Sequence, residues 1–134
     1  PEDRLRQGFG DALVWVVSDE RDQPVGFALC ADKGDELYLD QISVLPEYGR
    51  QGLGARLIRR VILEARERAF KRISLSTFRK VPWNGPFYRS MGFREIPAWR
   101  LQPWQKELTE LQKSTMDVSL RCFMQRPVKR FWTP

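Results

Sequence analysis

Among its 134 residues the chain has no histidine and only two cysteines. The first absence removes every mechanism built on imidazole, Ser-His and Cys-His nucleophile pairs included, and with them most zinc sites. The cysteines, Cys30 and Cys122, stand in apolar strand-like runs without metal-ligand spacing. No metal is therefore expected, and both thiols read as small buried hydrophobes. No apolar run approaches the ~20 residues that cross a bilayer, and no signal-peptide pattern opens the chain. A cytoplasmic protein with no membrane partner is expected. No charge sign is missing: 23 basic against 17 acidic residues leave a net +6. That balance suits nucleic acid or a ligand carrying several phosphates. The basic residues of 56–68 alternate with Glu64 and Glu67 like a solvated helix face. No nucleic-acid-binding motif is present, so nucleic acid is not expected as a partner.

What is present is a globular composition, 42% hydrophobic and 30% charged, at a length suited to one domain over residues 1–134. Ala12 to Ser18 and Pro24 to Asp32 read as strands of a hairpin, and Glu36 to Leu45 as a central strand with apolar residues on both faces. Gly52 to Arg68 reads as a long helix whose stripe is Leu53, Leu57, Ile58, Val61, Ile62 and Ala65. Arg72 to Thr77 is a strand, parallel to the central one because a helix crosses between them. Pro86 to Met91 is a short helix closed by Gly92 at its C′ position. Trp104 to Met116 reads as helix and Ser119 to Met124 as a last strand. There are no repeats and no low-complexity segments.

Two segments carry chemistry. In Ser43-Val44-Leu45-Pro46-Glu47-Tyr48-Gly49-Arg50-Gln51-Gly52-Leu53-Gly54 a strand turns through glycines into a helix N-terminus. Main-chain N–H groups without helical partners and the helix dipole favour an anion there, and glycine lets the backbone approach it closely. Arg50 adds a positive charge. The spacing fits neither the dinucleotide fingerprint nor the P-loop. The second segment is Phe87-Tyr88-Arg89-Ser90-Met91-Gly92-Phe93.

Together, in this order, they resemble the GNAT N-acetyltransferase superfamily. The first is similar to its acyl-CoA pyrophosphate loop, Arg/Gln-x-x-Gly-x-Gly/Ala, with the arginine displaced by one from Gly49 to Arg50. The second is similar to its (Phe/Leu)-Tyr-x-x-x-Gly-Phe segment. The likeness is good over about residues 12–95 and looser in the tail. It implies an α/β fold, a mixed and largely antiparallel sheet with a central parallel strand pair flanked by helices. It implies acetyl-CoA as co-substrate, a primary amine as acceptor, small molecule or protein, and direct transfer in a ternary complex. The alternative is a non-catalytic acyl-CoA-binding or regulatory domain.

By this resemblance Ile42, Ser43 and Val44 offer main chain to the pantetheine arm. Arg50, Gln51, Gly52, Leu53, Gly54 and Ala55 hold the pyrophosphate. Asn84 is a further cofactor contact, although the family asparagine falls on Val81. Tyr88 is the general acid for the departing thiolate, since an ordinary phenol is protonated at neutral pH. Its plainer reading is a buried aromatic beside Phe87. The glutamates that serve as bases in the family fall on Tyr38 and Ser76. Asp40, on the face of Tyr38 before any bulge, is the candidate base, with Glu36 in reserve. A structural role for Asp40 stays open. Phe78, Arg79 and Trp83 fall near the expected acceptor entrance.

The family fold places a first strand and two helices ahead of the hairpin, and only residues 1–11 precede it here. The chain is therefore read as lacking that strand and those helices. The uncharged run Leu13-Val14-Trp15-Val16-Val17 is then expected to be an open sheet edge that pairs with a second copy or needs the missing segment for solubility.

Overall fold

The computed structural model describes residues 2–7, 12–49, 51–78, 84–113 and 121–128. Its elements are β1 (Glu2–Gln7), β2 (Ala12–Ser18), β3 (Pro24–Asp32), β4 (Glu36–Val44), α1 (Leu53–Glu67), β5 (Arg72–Phe78), α2 (Asn84–Ser90), β6 (Arg94–Glu95), α3 (Pro103–Gln112) and β7 (Arg121–Pro127). Single 3-10 turns lie at Pro46–Tyr48 and Ala98–Arg100. The class is the expected one, mixed α/β with a mostly antiparallel sheet, a parallel pair and flanking helices. The chain divides into two compact units, residues 1–74 with 127–134, and residues 75–126.

In the first unit the strand order is β1-β2-β3-β4-β5. Opposed residues of antiparallel strands share a face. The register Trp15↔Ala28, Val17↔Gly26 and Leu13↔Cys30 builds one apolar face of β2 and β3, continued on β4 by Leu37 and Leu39. Trp15, Val17, Ala28, Cys30 and Leu37 are wholly buried. Helix α1 packs across β2, β3 and β4 and buries Leu53, Leu57, Ile58, Val61 and Ala65, as its periodicity predicts. Each of the four larger side chains removed from water, Ala65 apart, is worth about 1.5–3 kcal/mol. Ile62 is only half-buried, and Glu64 is buried in its place. Its carboxylate lies between Arg60 Nη2 at 3.5 Å and Arg68 Nε at 3.3 Å.

The expected open edge is corrected. Residues 2–7 form β1, which pairs antiparallel with β2 from Glu2↔Ser18 to Gln7↔Leu13. A strand does precede the hairpin, and only residues 8–11 separate it from β2. The edge strand of the first unit is thus Glu2–Gln7. The physical basis for dimerisation through β2 is gone.

At the other end of the unit, the Lys71 N–H donates to the Asp35 carbonyl at 2.7 Å and Arg72 Nε pairs with Glu36 Oε1 at 3.2 Å. These contacts set the starts of β4 and β5 side by side. In the second unit the order is β5-β7-β6, with β6 antiparallel to β7. There α3 starts on a capping box between Gln102 and Gln105, and Trp104 meets Phe123 edge to face at 6.2 Å.

Candidate functional site

In the first unit β4 delivers Ile42, Ser43 and Val44 opposite Ala28, Phe27 and Gly26. Ser43 is exposed, whereas Ile42 and Val44 are half-buried. The Leu45 N–H donates to the Val25 carbonyl at 2.8 Å, and the 3-10 turn follows. Gln51 is exposed, and Arg50 lies outside the described residues. Gly52 is the N-cap of α1 with φ +75°, a left-handed conformation that costs an L side chain roughly 1–2 kcal/mol. A Cβ built there meets nothing within 4 Å.

The first helical bond runs from the Arg56 N–H to the Gly52 carbonyl at 3.0 Å. The N–H groups of Leu53, Gly54 and Ala55 therefore stand ahead of the ladder. No acidic residue occupies the first turn, and among the described residues no side chain caps it. A positive helix end of this kind is an arrangement that suits a pyrophosphate.

Sequence reasoning missed the contact that braces this turn. Tyr48 Oη donates to Asp19 Oδ2 at 3.0 Å, while Asp19 Oδ1 accepts from the main-chain N–H groups of Arg21 at 2.9 Å and Gln23 at 3.0 Å. The Gln23 bond, with the bonds from Tyr48 and Arg21, holds the Asp19 carboxyl below the usual carboxylate range against its partial desolvation. The same bond to Asp19 pushes the Tyr48 phenol up. Asp19, Arg21, Val25, Tyr48, Gln51 and Leu53 are among the residues lining a cavity of about 460 Å³ beside the turn. Asp19 and Tyr48 lie 29 residues apart, and no local pattern announces their meeting.

The two candidate bases of β4 differ sharply. Glu36 is wholly buried in its ion pair with Arg72, so the reserve candidate is committed to the fold. Asp40 is exposed. The register of β3 against β4 shifts between Leu29↔Gln41 and Cys30↔Leu39, which makes Asp40 the extra residue of a bulge. Its carboxylate lies close enough to Cys30 to add to the effect of burial, and the thiol is pushed up to about 12. Tyr38, where the family glutamate was expected, is buried.

In the second unit α2 carries Asn84 as its first residue, and the Asn84 side chain lies outside the description. Tyr88 is 9% exposed, edge to face with Phe87 at 5.2 Å and Phe93 at 6.0 Å. Burial raises its phenol above the ordinary value, so the ring is held protonated at neutral pH. The helix ends as the sequence predicts. Gly92 has φ +93°, and the N–H groups of Gly92 and Phe93 donate to the carbonyls of Arg89 and Tyr88, both at 3.0 Å. Val81, Arg79 and Trp83, and the Phe78 side chain, lie outside the described residues.

The family described as Acetyltransferase (GNAT) domain matches residues 7–95, a span holding both the glycine turn and the Tyr88 segment. The chain belongs to the GNAT acetyltransferase family. A GNAT relative from Haemophilus influenzae, the [ribosomal protein bS18]-alanine N-acetyltransferase, is 31% identical over 92 residues, covering 69% of this chain and 62% of the relative. The chain thus spans less than two thirds of that relative's length. The solved ribosomal-protein-S18-alanine N-acetyltransferase of Escherichia coli superposes with a TM-score of 0.70 at 22% identity, over 94% of this chain and 74% of that one. A GNAT acetyltransferase of Elizabethkingia anophelis with acetyl-CoA bound gives 0.70 at 14% identity, over 87% of this chain and 76% of that one.

A left-handed Gly52 with open space above it and main-chain donors ahead of the helical ladder meet what a pyrophosphate needs. Among the described residues no group of three or more His, Cys, Asp or Glu side chains could hold a metal ion, and no helix is long and apolar enough to cross a membrane.

Proposed function

We propose that this chain transfers the acetyl group of acetyl-CoA to a primary amine by direct attack in a ternary complex. The first-turn N–H groups of Leu53, Gly54 and Ala55, with Gln51, Gly52 and Arg50, bind the pyrophosphate. The main chain of Ile42, Ser43 and Val44 aligns the pantetheine arm, and Asn84 adds a contact. Orientation of the two bound reactants supplies much of the acceleration.

The amine nitrogen attacks the thioester carbonyl, a C–N bond forms and the C–S bond breaks. Asp40 accepts the amine proton through water. Tyr88 gives its phenolic proton to the departing thiolate and recovers one from solvent. A phenol raised by burial is protonated at the moment it is needed.

The acceptor is proposed as a protein N-terminal amine, because a relative 31% identical to this chain is named for an alanine of a ribosomal protein. The observation that carries the reading is the uncapped, acid-free start of α1 at a left-handed Gly52. The test is release of free CoA from acetyl-CoA, followed with a thiol reagent, on peptides with N-terminal alanine and on a panel of small primary amines. Turnover on the alanine peptides supports the whole reading. Turnover confined to small amines overturns the acceptor. CoA binding by calorimetry without turnover on any amine overturns the catalytic reading in favour of an acyl-CoA-binding domain.

A further inference from the structure

We infer that Tyr48 and Asp19 are positioning residues for acetyl-CoA, acting together as a latch that fixes the backbone turn between β4 and α1. The inference rests on the cofactor reading above. The turn is anchored where it leaves β4 by the Leu45–Val25 main-chain bond, and again where it enters α1 by Leu53, which is 6% exposed. Between these anchors the described main-chain bonds are local, from the Tyr48 N–H to the Leu45 carbonyl and from the Gly49 N–H to the Pro46 carbonyl. Among the described residues, the Tyr48 hydroxyl on Asp19 is a contact that reaches outside the turn.

Asp19 is a rigid post. One carboxylate oxygen is held by two main-chain N–H groups, and its own N–H donates to the Gln23 carbonyl at 2.9 Å. The cavity of about 460 Å³ on this side of the turn leaves room for it to sag once the latch is cut. A set of main-chain donors recognises an anion only while it is held to within about 0.5 Å. Loosening it therefore weakens cofactor binding and leaves the chemical step alone.

The experiment measures CoA affinity by calorimetry, KM for acetyl-CoA, kcat and thermal stability for Tyr48→Phe, Asp19→Ala and the double variant. Tyr48→Phe removes one oxygen from a part-exposed side chain and keeps the ring, so the fold is retained. We expect Kd and KM to rise about 10-fold, the loss of one hydrogen bond to a charged group, with kcat at saturating acetyl-CoA unchanged. Asp19→Ala also loses the bonds of its own turn and melts lower. In the Tyr48→Phe background it adds nothing further to Kd, because both changes cut one latch. Unchanged Kd in Tyr48→Phe, additive effects on Kd, or a fall in kcat at constant KM would each overturn the inference while the cofactor reading stands. A parent chain that does not bind CoA overturns the cofactor reading and this inference with it.

Discussion

At the start of α1 the groups offered to a ligand are main-chain N–H donors, set in place by the left-handed φ of Gly52. In α2 the group offered is one hydroxyl, set in place by the packing of the Tyr88 ring against Phe87 and Phe93. The first arrangement is indifferent to the loss of a side chain and vulnerable to the addition of one. The second has the opposite weakness. On the proposed reading, binding and chemistry are thereby separable by substitution.

The largest separation is expected from Tyr88→Phe. It keeps the ring contacts and removes the proton, so kcat should fall about 10²–10⁴-fold while acetyl-CoA affinity stays within about twofold. Steady-state kinetics beside calorimetry measure both. Parental turnover would reduce Tyr88 to a packing residue and erase the contrast.

Gly52→Asp and Gly54→Asp should do the reverse. A carboxylate placed before the helix dipole should weaken CoA binding about 100-fold or more without unfolding the chain. Gly52→Asn is the matched control, because it carries the same backbone strain without the charge. If Asn and Asp weaken binding equally, strain and not charge is responsible.

The helix ends sharpen the comparison at a smaller scale. Helix α1 closes with Ala69 at φ +63°, and the N–H groups of Ala69 and Phe70 donate to the carbonyls of Arg66 and Ala65. Helix α2 closes with the same pair of bonds around Gly92. Urea unfolding should show Ala69→Gly stabilising by about 1 kcal/mol and Gly92→Ala destabilising by about 1–2 kcal/mol. In the second case an added Cβ also meets Arg126 Nη1 at 2.9 Å, the atom that bonds the Met91 carbonyl.

The mildest contrast is between the two free thiols. Burial first, then Asp40, raise Cys30 from 9.0 to about 12. Its folded pKa lies above its unfolded one, so its contribution to stability is complete below pH 9 and is lost as pH rises towards 12. The unfolding free energy from urea titrations should fall from pH 9 upwards by about 1 kcal/mol per unit, and less steeply in Cys30→Ala. At pH 8 iodoacetamide should label the half-exposed Cys122 well before Cys30, as peptide mass mapping would record.

Features written in local residue type were legible. Gly52 and Gly92 announce their backbone conformations, and runs of strand-formers bounded by polar turns matched β2 and β3 to the residue. Features that depend on register or on distant partners were not. Asp40 is left without a β3 partner because the β3–β4 pairing slips between Leu29 and Cys30, which no run of residues encodes. Glu36 is wholly buried and ion-paired with Arg72, 36 residues away. Residues 2–7 hold few strand-formers and become a strand by pairing with β2. Gln102 caps α3 from a residue type that rarely does so.

The contacts among Asp35, Glu36, Lys71 and Arg72 have one more consequence. They sit where β4 and β5 begin, and the Val128 N–H adds a bond to the Lys71 carbonyl at 2.9 Å. The glycine turn follows the far end of β4. The first unit is thus riveted at one end and carries its glycine turn at the other, like a clothes-peg with its spring away from the jaws. Breathing of the backbone near the turn strains none of these rivets. Amides of Lys71 and Val128 should therefore exchange with solvent only on global opening, while those of Gln51 to Ala55 report every local one.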